Sequence, residues 1–248
     1  MSRIFQDIAA AFQFMTRLPL SRLAYNPDAL PRAAKYFPLV GLAVGAAAAG
    51  LYCLLSTHLP VAVMALLIVF FTTLITGGMH EDGLADAADA FGGGWNRQRI
   101  LEIMKDSRIG SFGALALMFS IGGRVLLLSH LPAGDFVSYV ISAEVLCRWV
   151  MLPLAAALPS AREQEGQGAR VARHVSTVSV AVGTILSFVV VGFMLRQSAV
   201  WTVAAASAVA LFSGLYYKHR IGGITGDCFG ATSQVTLLAV YLCGVCRA

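Results

Sequence analysis

Residues 36–79, YFPLVGLAVGAAAAGLYCLLSTHLPVAVMALLIVFFTTLITGGM, contain no Asp, Glu, Lys or Arg. A helix needs about 20 apolar residues to cross a bilayer, so this run is too long for one crossing. His58-Leu59-Pro60 divides it into two spans joined by a very short turn. Further apolar segments lie at 109–131, 136–158, 175–195, 198–217 and 228–246, which makes seven candidate spans. Those at 109–131 and 136–158 carry internal charges. Composition agrees: 58% of the 248 residues are hydrophobic and 12% charged, against roughly 25% charged in soluble domains. Mean hydropathy is +0.74. The expected fold is all-α, a polytopic integral membrane helical bundle forming one membrane-embedded domain over residues 1–248.

The N-terminal segment lacks the compact apolar core and small-residue cleavage site of a signal peptide. Phe5, Ile8, Phe12 and Met15 recur at helical spacing among Gln6, Asp7 and Gln13. This predicts an amphipathic interfacial helix, with a surface helix packed on the bundle as the alternative. The five cysteines form no framework, and Cys243-Gly-Val-Cys246 is a lone pair without a second pair or a His at zinc spacing. They read as apolar filler.

Basic residues set the orientation. Arg3, Arg17, Arg22, Arg32 and Lys35 precede the first span. Arg97, Arg99, Lys105 and Arg108 follow the second, Arg162, Arg170 and Arg173 the fourth, and Lys218 and Arg220 the sixth. The other face receives only Arg196 and Arg247. Positive loops stay cytoplasmic, which puts the N-terminus inside, the C-terminus outside and the three substantial loops together on the cytoplasmic face of a plasma (inner) membrane. The net charge of +5 reflects this bias. No basic stripe interleaved with aromatics indicates nucleic-acid binding.

Directly after the apolar run comes GGMHEDGLADAADAFGGG, residues 77–94. As a helix, it places Asp82, Asp86 and Asp89 at i, i+4 and i+7 on one side. Like charges on one stripe repel, and a divalent cation is the natural counter-charge. Hard oxygen donors suit Mg²⁺. The alternative is a soluble loop helix with solvated carboxylates. Glu81 points about 100° off the stripe and His80 nearly opposite, so neither is an expected primary ligand. Asn96 can cap a short helix with Ile100, Ile103 and Met104 on its buried face. That helix ends in Lys105-Asp106-Ser107-Arg108. Asp106 could complete a metal site while Lys105 and Arg108 hold phosphate oxygens, or the cluster is a basic anchor with one local ion pair. Residues 77–110 thus form the candidate catalytic loop.

Arg124, Glu144 and Arg148 lie within apolar spans, where charges are costly and mark functional sites by default. Glu144 and Arg148 are i, i+4 and can neutralise each other, whereas Arg124 has no evident local partner. Gly222-Gly223-Ile224-Thr225-Gly226-Asp227-Cys228-Phe229-Gly230 opens the last span with a hydroxyl and a carboxylate. Backbone N–H groups at a helix start can cradle phosphate, and a tight turn is the alternative.

GGMHEDGLADAADAFGGG followed by RILEIMKDSRIGSFGALAL (99–117) resembles the signature of the cobalamin synthase, or adenosylcobinamide-GDP ribazoletransferase, family. The similarity continues in Thr16-Arg17-Leu18-Pro19, in Phe37-Pro38-Leu39-Val40-Gly41, in Ser160–Gly168 and in Gly223–Ala231. Gln164 and Gln167 depart from the family's loop, Cys147 replaces a Ser, and Glu81 stands where an apolar residue is usual. The resemblance implies transfer of the adenosylcobinamide phosphate moiety of adenosylcobinamide-GDP to a ribose hydroxyl of α-ribazole, or its 5′-phosphate, with release of GMP. It implies Mg²⁺ on Asp82, Asp86, Asp89 and Asp106, and a catalytic set of Asp82, Asp86, Lys105 and Asp106. Arg17, Arg108, Arg148, Thr225 and Asp227 are the implied substrate contacts. An oligomer is compatible with all of this. The competing readings are a Mg²⁺-dependent membrane prenyltransferase, a CDP-alcohol phosphotransferase, whose D-x2-D-G-x2-A-R pattern is absent, and a divalent-cation transporter. A transporter predicts carboxylates deep in several spans, and here only Glu144 lies deep.

Overall fold

A computed structural model describes residues 2–19, 29–162, 170–171 and 174–247. Arg22 and Arg173 of the basic count, and residues 163–168 of the loop motif, lie outside the described residues.

Helix α1 is Arg3–Met15. Helix α2 (Leu30–Ala33) passes through a 3-10 turn into α3 (Phe37–Leu55). Then follow α4 (Val61–Thr76), α5 (Met79–Gly93), α6 (Arg97–Ile103), α7 (Ser111–Ser129), α8 (Phe136–Trp149) and α9 (Met151–Ala157). The chain continues through α10 (Thr177–Leu195) and α11 (Ser198–Ile221) to α12 (Gly226–Val245). Six stretches are long and apolar enough to cross a membrane, and the bent pair α4–α5 makes a seventh if taken as one span. Both charged segments, Ser111–Ser129 and Phe136–Ala157, are among the six. Phe70, Met118, Phe119, Phe193, Trp201 and Phe212 stay exposed, as suits lipid contact and not water. The chain is a multi-pass membrane protein.

Phe136–Ala157 is the axis of the bundle, and Tyr139 to Leu152 are all buried. Helix α3 lies against it through small residues: a Cβ on Gly41 would collide with the Glu144 carbonyl, and one on Gly45 would lie 2.8 Å from the Ile141 Cα. Small residues four apart allow such close approach in membrane bundles. The Glu144–Arg148 ion pair expected from spacing forms within this buried helix.

Helix α1 packs on the bundle. Its buried face is Asp7, Ala10, Ala11 and Met15, whereas Ile4 and Phe5 remain exposed. Asp7 is 2% exposed and lies 3.4 Å from both Arg32 and Lys35. A buried carboxylate must face its cations, so the ion pairs help set which face turns inward; of the predicted apolar row, Met15 is buried and Phe12 packs on the core, while Phe5 stays exposed. The tip of α1 keeps an apolar surface free for the interface.

Gly77 (φ 68°) and Gly78 (φ 70°) both adopt the left-handed region that other residues disfavour. They end the apolar α4 and turn the chain through 91° into the acidic α5.

Candidate active site

Two anchors fix α5 along α7. Near its start, Glu81 Oε1 lies 2.9 Å from Arg124 Nη2, and both side chains are buried. Near its end, the Asp89 carboxylate accepts the Gly110 N–H at 2.7 Å and the Gly113 N–H at 2.8 Å. Helix α5 therefore runs antiparallel to α7, toward the point where α7 begins, and an aspartate there complements the helix N-terminus. Helix α5 also meets the first turns of α12. A Cβ on Gly83 would lie 3.0 Å from the Asp227 carbonyl oxygen, and one on Gly230 would lie 3.0 Å from that of His80. This glycine-to-glycine crossing brings Asp82 and Asp86 alongside Asp227.

The carboxylates sense each other. Asp86 is half-buried and its acid is pushed up to about 6, first by burial and then by the charges of Asp82 and Asp227, against the opposing pull of Arg162. Asp227 is held at Oδ2 by Arg162 Nη2 at 3.1 Å and by the Thr225 hydroxyl at 3.3 Å. Thr225 also caps α12, accepting the Cys228 N–H at 3.3 Å. Arg162 is delivered by a short parallel bridge, in which Ala161 N–H donates to Ile224 O and Ile224 N–H to Pro159 O, both at 2.9 Å.

The basic segment runs alongside this acidic surface. Asn96 caps α6 by accepting the Arg99 N–H at 2.9 Å, and Ile100 and Met104 are buried, as expected. The Met104 carbonyl accepts from Arg162 at 3.2 Å, while Gly110 is held by Asp89. Lys105 to Ile109 thus spans from the Asp227 end of the site to the Asp89 end. Within it, Arg108 grips Asp106 through Nη2 (2.7 Å) and Nε (3.0 Å). These hydrogen bonds hold the Asp106 acid down at about 2. Arg97 donates to Ile221 O and Ala161 O, both at 2.9 Å, and Arg220 to Gly94 O at 2.7 Å. Those two arginines tie the loop to the end of α11.

Beside the carboxylates lies a cavity of about 150 Å³. His80, Asp82, Gly226 and Asp227 line its polar part, and Phe14, Phe37, Met79, Met151 and Phe229 its apolar part.

Residues 7–245 match the family model described as cobalamin-5-phosphate synthase. The chain belongs to that family. It is 39% identical to the adenosylcobinamide-GDP ribazoletransferase of Polaromonas sp., covering 97% of this chain and 96% of the relative. Relatives of the same name from Azorhizobium caulinodans (40%; 98% and 96% covered) and Leptospira interrogans (37%; 94% and 92% covered) agree. No solved structure matches the chain.

In this cobalamin-5-phosphate synthase family member the predicted residues fall into separate groups. Asp82, Asp86, Thr225 and Asp227 converge, with Lys105 and Arg108 on the segment beside them. Asp89 stands apart, because both its oxygens serve the start of α7. Asp106 is engaged by Arg108. Arg148 is 1% exposed inside the bundle and pairs with Glu144, which removes it from the surface of the cleft. Arg17 is exposed at the α4–α5 bend, where its N–H donates to Ile75 O at 2.7 Å and its side chain covers Gly77. All five cysteines are free. Arg162, Arg97 and Arg220 were visible in the sequence only as loop charges. The Ser160-Ala161-Arg162 match was the one signal that singled out Arg162.

Proposed function

We propose that this chain transfers the adenosylcobinamide phosphate moiety of adenosylcobinamide-GDP to a ribose hydroxyl of α-ribazole, or of its 5′-phosphate, releasing GMP. The reaction takes place at the cytoplasmic face of the inner membrane, on the loop of residues 77–110. The observation that carries this reading is the convergence of Asp82, Asp86 and Asp227 beside a Lys105–Arg108 segment pinned at both ends, within a chain of this family.

The donor set fits Mg²⁺. Among the described residues no three His, Cys, Asp or Glu side chains form a ready-made metal cluster. Mg²⁺, however, needs only one or two carboxylates when waters and substrate phosphates complete its octahedron. Asp82 and Asp86 are the pair that would hold it; the Asp86 acid is raised first by burial and then by the neighbouring charges of Asp82 and Asp227, and a bound cation would offset the latter. When bound, Mg²⁺ supplies neutralisation of the charge on the phosphates.

The chain's own residues do the rest. Lys105 and Arg108 bind phosphate oxygens of the donor, and Asp106 keeps the guanidinium of Arg108 oriented. Arg17, exposed at the bend before α5, adds a second cationic contact. Asp227, fixed through Oδ2 and lining the cavity, accepts the proton of the attacking ribose hydroxyl. The hydroxyl oxygen then bonds to the phosphorus that carries the aminopropanol arm, and GMP departs in line.

The test is GMP release by the purified protein in lipid nanodiscs with Mg²⁺, adenosylcobinamide-GDP and α-ribazole. Turnover is expected in the wild type and absent in Asp82→Ala and Asp86→Ala proteins that still insert. No GMP under conditions where a relative works would overturn the proposal.

A further inference from the structure

The cavity next to Asp82 and Asp227 divides sharply in character. Its apolar part comes from four elements: Phe14 from α1, Phe37 from α3, Met79 from α5 and Met151 from α9, with Phe229 added by α12. Phe14 and Phe37 lie 5.7 Å apart, inclined at 33°, and make a continuous aromatic surface. Met151, Phe37 and Phe229 are buried, whereas Asp82 is exposed at the polar end. Such a space takes a flat apolar group whose attached polar part emerges toward the carboxylates.

Size and chemistry choose among the pieces of the two substrates. A cavity of about 150 Å³ that opens at its polar end is on the scale of a small flat aromatic group, so a corrin ring does not enter. The walls are mostly phenyl and thioether, with the buried His80 imidazole as a further polar side chain beside Asp82 and Asp227, so a guanine base would leave more of its hydrogen-bonding groups unpaired there than a benzimidazole, which costs binding. A benzimidazole has an aromatic face for Phe14 and Phe37 and soft contacts for the two methionines. Held there, its ribose projects toward Asp82 and Asp227, where the reacting hydroxyl belongs.

We infer that this cavity is the subsite for the aromatic base of the acceptor nucleoside, and that Phe14 and Met151 select bases by size. The inference rests on the proposed ribazole transfer. It also gives α1 a role beyond packing, since that helix supplies one wall of the acceptor site.

Two measurements in nanodiscs test it. In the first, calorimetry follows benzimidazole binding to the wild type and to Met151→Phe, without donor or metal. In the second, KM is determined separately for each substrate. Met151→Phe fills the cavity and is expected to weaken benzimidazole binding and raise KM for α-ribazole by about tenfold, the scale of a misfit in an apolar pocket. KM for adenosylcobinamide-GDP is expected to stay within about twofold. Phe14→Leu, which removes ring area at a half-buried position, gives the same pattern more weakly and serves if Met151→Phe does not insert. Equal movement of both KM values, or unaltered benzimidazole binding, would overturn the subsite. A wild type that binds benzimidazole but releases no GMP would instead overturn the transferase reading and leave the cavity assignment standing.

Discussion

The Glu81–Arg124 pair is the point at which α5 can be loosened without touching a carboxylate of the site. The two side chains are 10% and 3% exposed and meet at 2.9 Å. Thr73 donates to the same Glu81 Oε1 at 3.1 Å, while Glu81 Oε2 and Arg124 Nε have no hydrogen-bond partner among the described residues. Arg124→Met therefore leaves a buried carboxylate with one neutral donor, and Glu81→Met leaves a buried guanidinium with none of its charge balanced. Breaking a buried pair from one side costs about 3–5 kcal/mol, whereas replacing both partners by apolar groups is often close to neutral. Each single variant should lose about 3–5 kcal/mol, and the double Met variant much less than the sum of the two. Reversible unfolding in mixed micelles, followed by tryptophan fluorescence, measures all four corners of the cycle. GMP release provides a second readout, because Glu81 precedes Asp82: turnover should fall in the single variants and partly recover in the double. Additivity within about 0.5 kcal/mol would show that the pair does not couple α5 to α7.

Gly83→Ala should push α5 and α12 apart by a few tenths of an ångström, since the new methyl would sit 3.0 Å from the Asp227 carbonyl oxygen. The better helix propensity of Ala is outweighed by overpacking of about 1–3 kcal/mol, and turnover should drop about tenfold or more, measured as GMP release at saturating substrates. Asp89→Asn should keep part of the activity, because its amide oxygen still accepts from one of Gly110 and Gly113 while its NH2 faces the other N–H. Asp89→Ala should lose about 0.5–2 kcal/mol of stability, and loss of Mg²⁺ binding by calorimetry in a folded Asp89→Asn protein would restore that residue to the metal set. With the Asp86 acid near 6, protons compete with the cation as pH falls, so Mg²⁺ affinity at pH 5.5 should be about fourfold weaker than at pH 7.5. The sign follows from the raised value: the folded protein gains stability from Asp86 protonation below about 6 and loses it as the group ionises above, while metal binding behaves oppositely. Isothermal titration of Mg²⁺ at the two pH values reads this directly, and a flat response would exclude Asp86 as a ligand.

The number and placement of the spans could be read from the sequence because a bilayer imposes a length on every crossing, and even the charged segments at 111–129 and 136–157 obey it. The Glu144–Arg148 pair was equally legible, being local to one helix. The partner of Arg124 was not: Glu81 lies 43 positions away, on a helix whose direction is set by Gly77 and Gly78. What α1 packs against was not legible for a similar reason, since Asp7 takes its direction from Arg32 and Lys35. Local periodicity reports which residues share a face, and only the tertiary fold reports what that face meets.

That distinction governs the carboxylate stripe itself. Asp82, Asp86 and Asp89 do share one side of α5, but two different elements cover that side. The first turn of α12 lies over Asp82 and Asp86 and adds Asp227, which raises the local negative charge and creates the demand for a cation. The start of α7 lies over Asp89 and supplies two N–H donors, which satisfy its charge without any ion. The same residue type at helical spacing therefore serves binding at one end and anchoring at the other. Because the anchored end also holds Gly110, the last residue before α7, Asp89 fixes the far end of the Lys105–Arg108 segment whose near end is fixed through Arg162 and Met104. The stripe thus positions the cations opposite it as well as the metal it would bind, and shifting α5 by one anchor should disturb both charges of the site together.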